Sequence, residues 1–381
     1  MFKFKPSKEW LQLADKAERG AEISAGITSK KTFVDPQFNE LVRKVESDPD
    51  ACLKTFLIQA KSIGVTRDFL IKRIDIDNFL RDYPKRVSDK EGSSQGVINL
   101  AIRTSTAFGV DTPSLLFGGA IHERPVLGAR FKKRKNTEER FLNSYTSYAY
   151  NLTRILIKAV DAPKARSVSG DYKAFRELFL GKFGEFSLEN IVQFTWQLGI
   201  PILPLRDSGA FNGACWTVNG QRVIVLKQTT DFEGRWIHDL LHELFHISKN
   251  QDQENFAVLD EVDNDEGTDE EEAANGFAAD VILDGKAEDL VAECVKRARG
   301  SVERLKSVVP AVAKDRHADL AALTYYMAYR LALQKINWWG TVSNLDNRGS
   351  PFEKVKGACI ERLNWDRLNN EERTLLTKAL D

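Results

Sequence analysis

Most of this chain spaces its apolar residues three and four apart, as helices with one buried face do, but between residues 201 and 226 the period changes. Pro201-Ile202-Leu203-Pro204-Leu205 and Ala214-Cys215-Trp216-Thr217-Val218 read as strands. Asn219-Gly220, followed by Gln221-Arg222-Val223-Ile224-Val225-Leu226, is a two-residue hairpin signal. A small antiparallel sheet is expected here in a mainly helical chain, which makes the fold class α+β.

Helical spacing resumes at Trp236-Ile237-His238-Asp239-Leu240-Leu241-His242-Glu243-Leu244-Phe245-His246-Ile247, with H-E-x-x-H at 242–246. Residues four apart lie one turn apart on a single helix face, so His242 and His246 can ligate one zinc ion at about 2.0–2.1 Å. Glu243, beside the metal but not bound to it, can take a proton from a water that attacks a carbonyl. A hydrolytic site of this kind wants a third protein ligand and an open position. Glu271, 25 positions after His246, is the strongest candidate, in an acidic segment that reads as a helix start. Asn275 lies four residues on, on the same face, where it can hydrogen-bond the outer nitrogen of a ligating imidazole.

His238 precedes His242 by one turn, but positions i, i+4 and i+8 drift round the helix and overshoot a single ion, so it is expected beside the site or at the surface. His317, Tyr325 and Tyr326 are candidates to stabilise an oxyanion by residue type alone. The strand at 214–218 or the one at 222–226 is a candidate edge for pairing with an extended peptide. The plain alternative for the motif is an amphipathic helix with two surface histidines.

The 55 basic and 55 acidic side chains cancel only as a whole. Residues 1–166 hold 30 Lys and Arg against 20 Asp and Glu, a net +10, which leaves residues 167–381 with 25 against 35, a net −10. In the basic half, short helices are expected from 51 to 118, broken by Gly64, Asp75, Pro84 and the polar stretch 88–94. Gly64 reads as the C-cap of one helix and Thr66 as the N-cap of the next, with Asp68 near its positive end. The run Arg130-Phe131-Lys132-Lys133-Arg134-Lys135 adds to the positive half, which offers non-specific contact to DNA phosphates. Asp77 and Asp82 oppose base reading, because carboxylates there would face phosphate. Residues 252–272 hold 11 Asp and Glu with no Lys or Arg, and read as a solvated loop.

A chain 42% hydrophobic and 10% aromatic, with 11 prolines in 381 residues, is composed for folding rather than for disorder or low complexity. No apolar run approaches the ~20 residues of a membrane span, so no membrane partner is expected. Met1-Phe2-Lys3-Phe4-Lys5-Pro6-Ser7-Lys8-Glu9-Trp10 lacks a secretory apolar core, and a cytoplasmic location is expected. Cys52, Cys215, Cys294 and Cys359 form no C-x-x-C pair and suit reduced core thiols.

Two resemblances rest on these residues. Segments 95–101 and 106–116, after the Gly64–Thr66 corner, resemble the closing helix and tail of a lambda-repressor-like, Xre-type helix-turn-helix domain. Residues 187–284 resemble the ImmA/IrrE family of zinc metallopeptidases, through Gly199-Ile200-Pro201-Ile202, H-E-L-F-H, and Glu271, Ala274, Asn275, Phe277 and Ala278. Residues 309–333 are similar to the helical tail that follows that fold. The second resemblance implies a zincin-like domain with zinc on His242, His246 and Glu271, Glu243 as general base, and cleavage of a repressor-like regulatory protein as substrate. Phe245 stands where the family usually has glycine, and its bulk is expected to narrow whatever lies behind the helix.

The chain then divides into a helical arm (1–48), a helix-turn-helix-like domain (49–118), a connecting helical segment (119–166), a zinc metallopeptidase domain (167–300) and a C-terminal helical region (301–381). The expected function is zinc-dependent peptide hydrolysis. The alternative is a DNA-binding or antitoxin-like regulator in which zinc is structural or sensory.

Overall fold

The computed structural model describes residues 36–76, 90–121, 139–208, 211–218, 220–253, 256–261, 269–342 and 349–381. Among these residues the chain is mostly helical with one four-stranded sheet, an α+β arrangement. It divides into two compact units, one of residues up to 124 together with Trp365–Lys378, the other of Pro125–Asn364 with Ala379–Asp381. No described helix is long and apolar enough to cross a membrane.

The first unit begins with α1 (Pro36–Ser47), α2 (Pro49–Ser62) and α3 (Arg67–Phe69), which runs on into a π-turn over Leu70–Ile74. α4 (Lys90–Phe108) and α5 (Thr112–Phe117) follow. Short polar side chains cap three starts: Asp48 accepts from the Ala51 amide, Thr66 from Phe69 and Asp111 from Ser114. Gly64 takes φ 85°, which a side chain would resist, so the corner at 64–66 forms where the sequence places it. Phe56, Ala60, Leu70, Ile74, Val97, Ala101 and Leu115 are buried in this unit. Asp77, Asp82, Pro84 and the basic run 130–135 lie outside the described residues.

The second unit runs through α6 (Glu139–Ala159), α7 (Tyr172–Phe183), α8 (Leu188–Gln197), β1 (Ile202–Leu205), β2 (Phe211–Val218), β3 (Gln221–Lys227), α9 (Glu233–Asn250) and β4 (Ala257–Glu261). Then come α10 (Asp269–Leu283), α11 (Ala287–Ala298), α12 (Val302–Asp315), α13 (Leu320–Ala332), α14 (Trp339–Val342) and α15 (Pro351–Ile360). The hairpin forms, with Val218 opposite Gln221 and Gly220 at φ 77°; Asn219 lies outside the described residues.

The sheet corrects two expectations. Its order is β1-β3-β2-β4, and β1 lies parallel to β3, from Ile202 opposite Ile224 to Leu205 opposite Lys227. The sheet is therefore mixed, not antiparallel, because the side of β3 left open by the hairpin is taken by β1 running in the same direction. For the same reason neither 214–218 nor 222–226 is an edge: β2 has β3 on one side and β4 on the other. The acidic stretch is likewise not simply a solvated loop. Ala257–Glu261 pairs antiparallel with β2, and the helix α10 begins at Asp269.

At one end of the sheet a polar cluster is buried. Lys227, 4% exposed, donates to the Phe211 carbonyl at 2.7 Å and stands over the rings of Tyr145 and Phe211, while the Tyr145 hydroxyl donates to Asp207 at 2.8 Å. Burial pulls the Lys227 ammonium down to about 8, against the opposing pull of Asp207. The unfolded chain then binds more protons than the native one from pH 8 up to the ordinary lysine value, so stability should rise with pH through that window, by at most about 3 kcal/mol. Urea midpoints of the native chain and Lys227→Met across this range measure it; parallel pH profiles would contradict the assignment.

α16 (Asn370–Leu380) belongs, up to Lys378, to the first unit. Arg103 pairs with Glu371 at 2.7 Å and also donates to the Ile74 carbonyl at 2.9 Å. The buried Arg73 donates to the Lys378 carbonyl, and the Lys378 ammonium lies 3.1 Å from Asp75. Arg103→Ala strips partners from two groups at once and should cost about 1–3 kcal/mol, read from the urea midpoint of the full chain.

Candidate metal centre

α9 is the central helix of the second unit. Trp236, Leu240, Leu241, Leu244 and Ile247 are almost wholly buried, and α9 packs on β2 and β3. At its positive end the buried Glu233 pairs with Lys354, and the Trp236 indole donates to the Thr230 carbonyl. So anchored, the helix buries His242 and His246 as well, with 4% and 1% exposure.

α10 packs beside α9 and brings Glu271 to the two imidazoles. The Nε2 atoms of His242 and His246 are 3.0 Å apart; Glu271 Oε2 is 3.3 Å from the first and Oε1 3.6 Å from the second. Ligands each ~2.0–2.1 Å from one ion at tetrahedral angles stand about 3.3 Å from one another. Two imidazoles and a carboxylate at these separations could hold a metal ion.

Their electrostatics agree. Burial alone would raise the Glu271 carboxyl, but hydrogen bonds with His242 and His246 outweigh it and hold the group well below the usual carboxylate range. Burial would lower His246, yet the hydrogen bond that its ring donates to Glu271 leaves it above its ordinary value. The three groups together favour a positive charge between them.

Glu243 is 1% exposed and close enough to His246 to act on it electrostatically. Asn275 does not hold the outer nitrogen of His246. That nitrogen, Nδ1, meets Glu270 Oε1 at 2.9 Å, whereas Asn275 donates to the Glu271 carbonyl at 2.9 Å and to Tyr329. Asn275 thereby steadies the backbone that carries Glu271, and Glu270 orients an imidazole. His238 is not at the surface. It is 4% exposed, with its ring 4.4 Å from that of Tyr325 and its Nδ1 3.7 Å from Asp239. Asp239 in turn accepts from Gln228 at 2.5 Å and pairs with Arg235.

Of the oxyanion candidates, Tyr326 donates its hydroxyl to Glu288 at 2.6 Å, and His317 occupies a left-handed turn after α12. Tyr325 is the one packed against α9. Phe245 packs on Phe277, 5.4 Å between centroids, and with Gly170, Tyr172 and Gly276 lines a hollow of about 330 Å³.

Compared with protein families, with curated proteins and with solved structures, the chain matches none. The reading of the site therefore rests on its own residues. Reasoning from the sequence missed Glu270 and Tyr329. Glu270 was hidden among four acidic residues in a row at the start of α10, where any of them suits the positive helix end.

Proposed function

We propose that this chain is a zinc-dependent endopeptidase of the ImmA/IrrE type that hydrolyses peptide bonds in a regulatory, repressor-like protein. The observation that carries the reading is the convergence of His242, His246 and Glu271, whose donor atoms lie 3.0 to 3.6 Å apart with an acidic Glu243 in the same helix. Zinc held by these three residues supplies a Lewis acid and an activated water. Glu243 takes the proton of the attacking water and returns it to the leaving amine. Glu270 and Asn275 keep the ligands in place while this happens.

The substrate main chain has a place to lie. Among the described residues β4 pairs only with β2, so its outer edge can accept an extended peptide as a further strand, one strand away from β2 where Glu243 rests. A cytoplasmic setting and contact of the basic half with DNA remain part of the proposal and rest on the sequence alone.

Metal analysis of the purified full chain tests the centre. One zinc per chain is expected, and none in His246→Ala; zinc retained by that variant would remove the assignment.

A further inference from the structure

β2 turns Gly213 and Cys215, two residues apart and so on one face of the strand, toward α9. Both meet Glu243. A Cβ built on Gly213 would fall 2.3 Å from Oε1, 3.1 Å from Cδ and 3.3 Å from Cγ of that side chain, so the carboxylate and its stem rest on bare glycine backbone. One pleat further along on the same face, the fully buried Cys215 thiol lies near enough to the same carboxylate to feel its charge. Burial, and then the carboxylates of Glu243, Glu271 and Glu270, push that thiol well above its ordinary value. It therefore stays S–H, and toward a carboxylate an S–H can only donate.

We propose that Gly213 and Cys215 are positioning residues for Glu243, the glycine leaving room for the carboxylate and the thiol fixing its rotation beside His242, His246 and Glu271. The consequence for hydrolysis rests on the peptidase reading; the seat itself is a property of the chain. The choice of donor follows from what the carboxylate has to do. An arginine or a pair of backbone amides would bind it tightly and weaken it as a proton acceptor. A thiol is a weak donor, so it orients the group without binding it tightly.

The seat can be read without metal or substrate, in the S–H stretching region of the infrared spectrum of the full-length protein. Cys215→Ser identifies the Cys215 band by its loss. Glu243→Gln and Gly213→Ala should each move that band to higher wavenumber, because an amide accepts less strongly and a displaced carboxylate does not accept at all. A band unmoved in both variants overturns the proposal. Gly213→Ala should fold, since what its methyl meets is the mobile end of a side chain rather than backbone.

In the zinc-loaded protein Cys215→Ala and Gly213→Ala should lower kcat about ten- to a hundredfold at little change in KM, while Cys215→Ser, which still donates, recovers most of kcat. Equal losses in Cys215→Ser and Cys215→Ala would overturn the role of the donor. A native protein that cleaves nothing would instead remove the peptidase reading and leave the infrared result standing.

Discussion

Glu243→Gln should lower kcat by about 10²–10⁴ while zinc content stays at the native level. Glutamine has the shape of glutamate and leaves the packing on Gly213 undisturbed, but its amide cannot take a proton from water. Glu243 is not among the three groups whose donor atoms converge, so its replacement leaves the metal ligands intact. Cleavage of an unstructured protein substrate, followed alongside metal analysis of the same preparation, gives both numbers. Undiminished cleavage would refute Glu243 as the base. Loss of an in vivo regulatory function in His242→Ala but not in Glu243→Gln would favour a zinc site that is structural or sensory.

Zinc affinity should fall as the pH drops below neutrality, by about tenfold per pH unit for each imidazole that must shed a proton to become a ligand. His246 titrates above its ordinary value in the metal-free chain, since Glu271 favours the protonated ring, and zinc must displace that proton. Glu271 itself is held well below the usual range and stays ionised throughout, so it contributes no loss in this window. Glu270→Gln should cost a further ~10–100-fold, because the ring then loses the carboxylate that orients it. Competition with a chromophoric chelator reports both effects. An affinity flat from about pH 5.5 to 8 would mean that zinc binds elsewhere.

The sequence disclosed features whose causes are local. Gly64 and Thr66 mark a helix corner because one needs positive φ and the other a free hydroxyl, and both are found so. Gly220 helps close the hairpin for a similar reason, at positive φ, and the spacing of His242 and His246 follows from the helical repeat. Glu271 was legible because a two-histidine site lacks a ligand and the acidic segment offers one. Features set by distant partners were not legible. Nothing in Ile202–Leu205 tells whether β2 or β3 will be its neighbour, and Asp260-Glu261 disguise β4, since edge strands tolerate charges that central strands do not. Gly213 reads as an ordinary strand glycine until α9 is laid over it.

The return of Trp365–Lys378 to the first unit has a bearing on synthesis. Arg73, Arg103 and Asp75 are made 268 to 305 residues before their partners Glu371 and Lys378. At ~5–20 residues per second the nascent first unit waits many seconds with these groups unmatched, while the whole stretch carrying His242, His246 and Glu271 emerges and can fold. The first unit is thus completed only after the whole stretch that carries these three residues has been made.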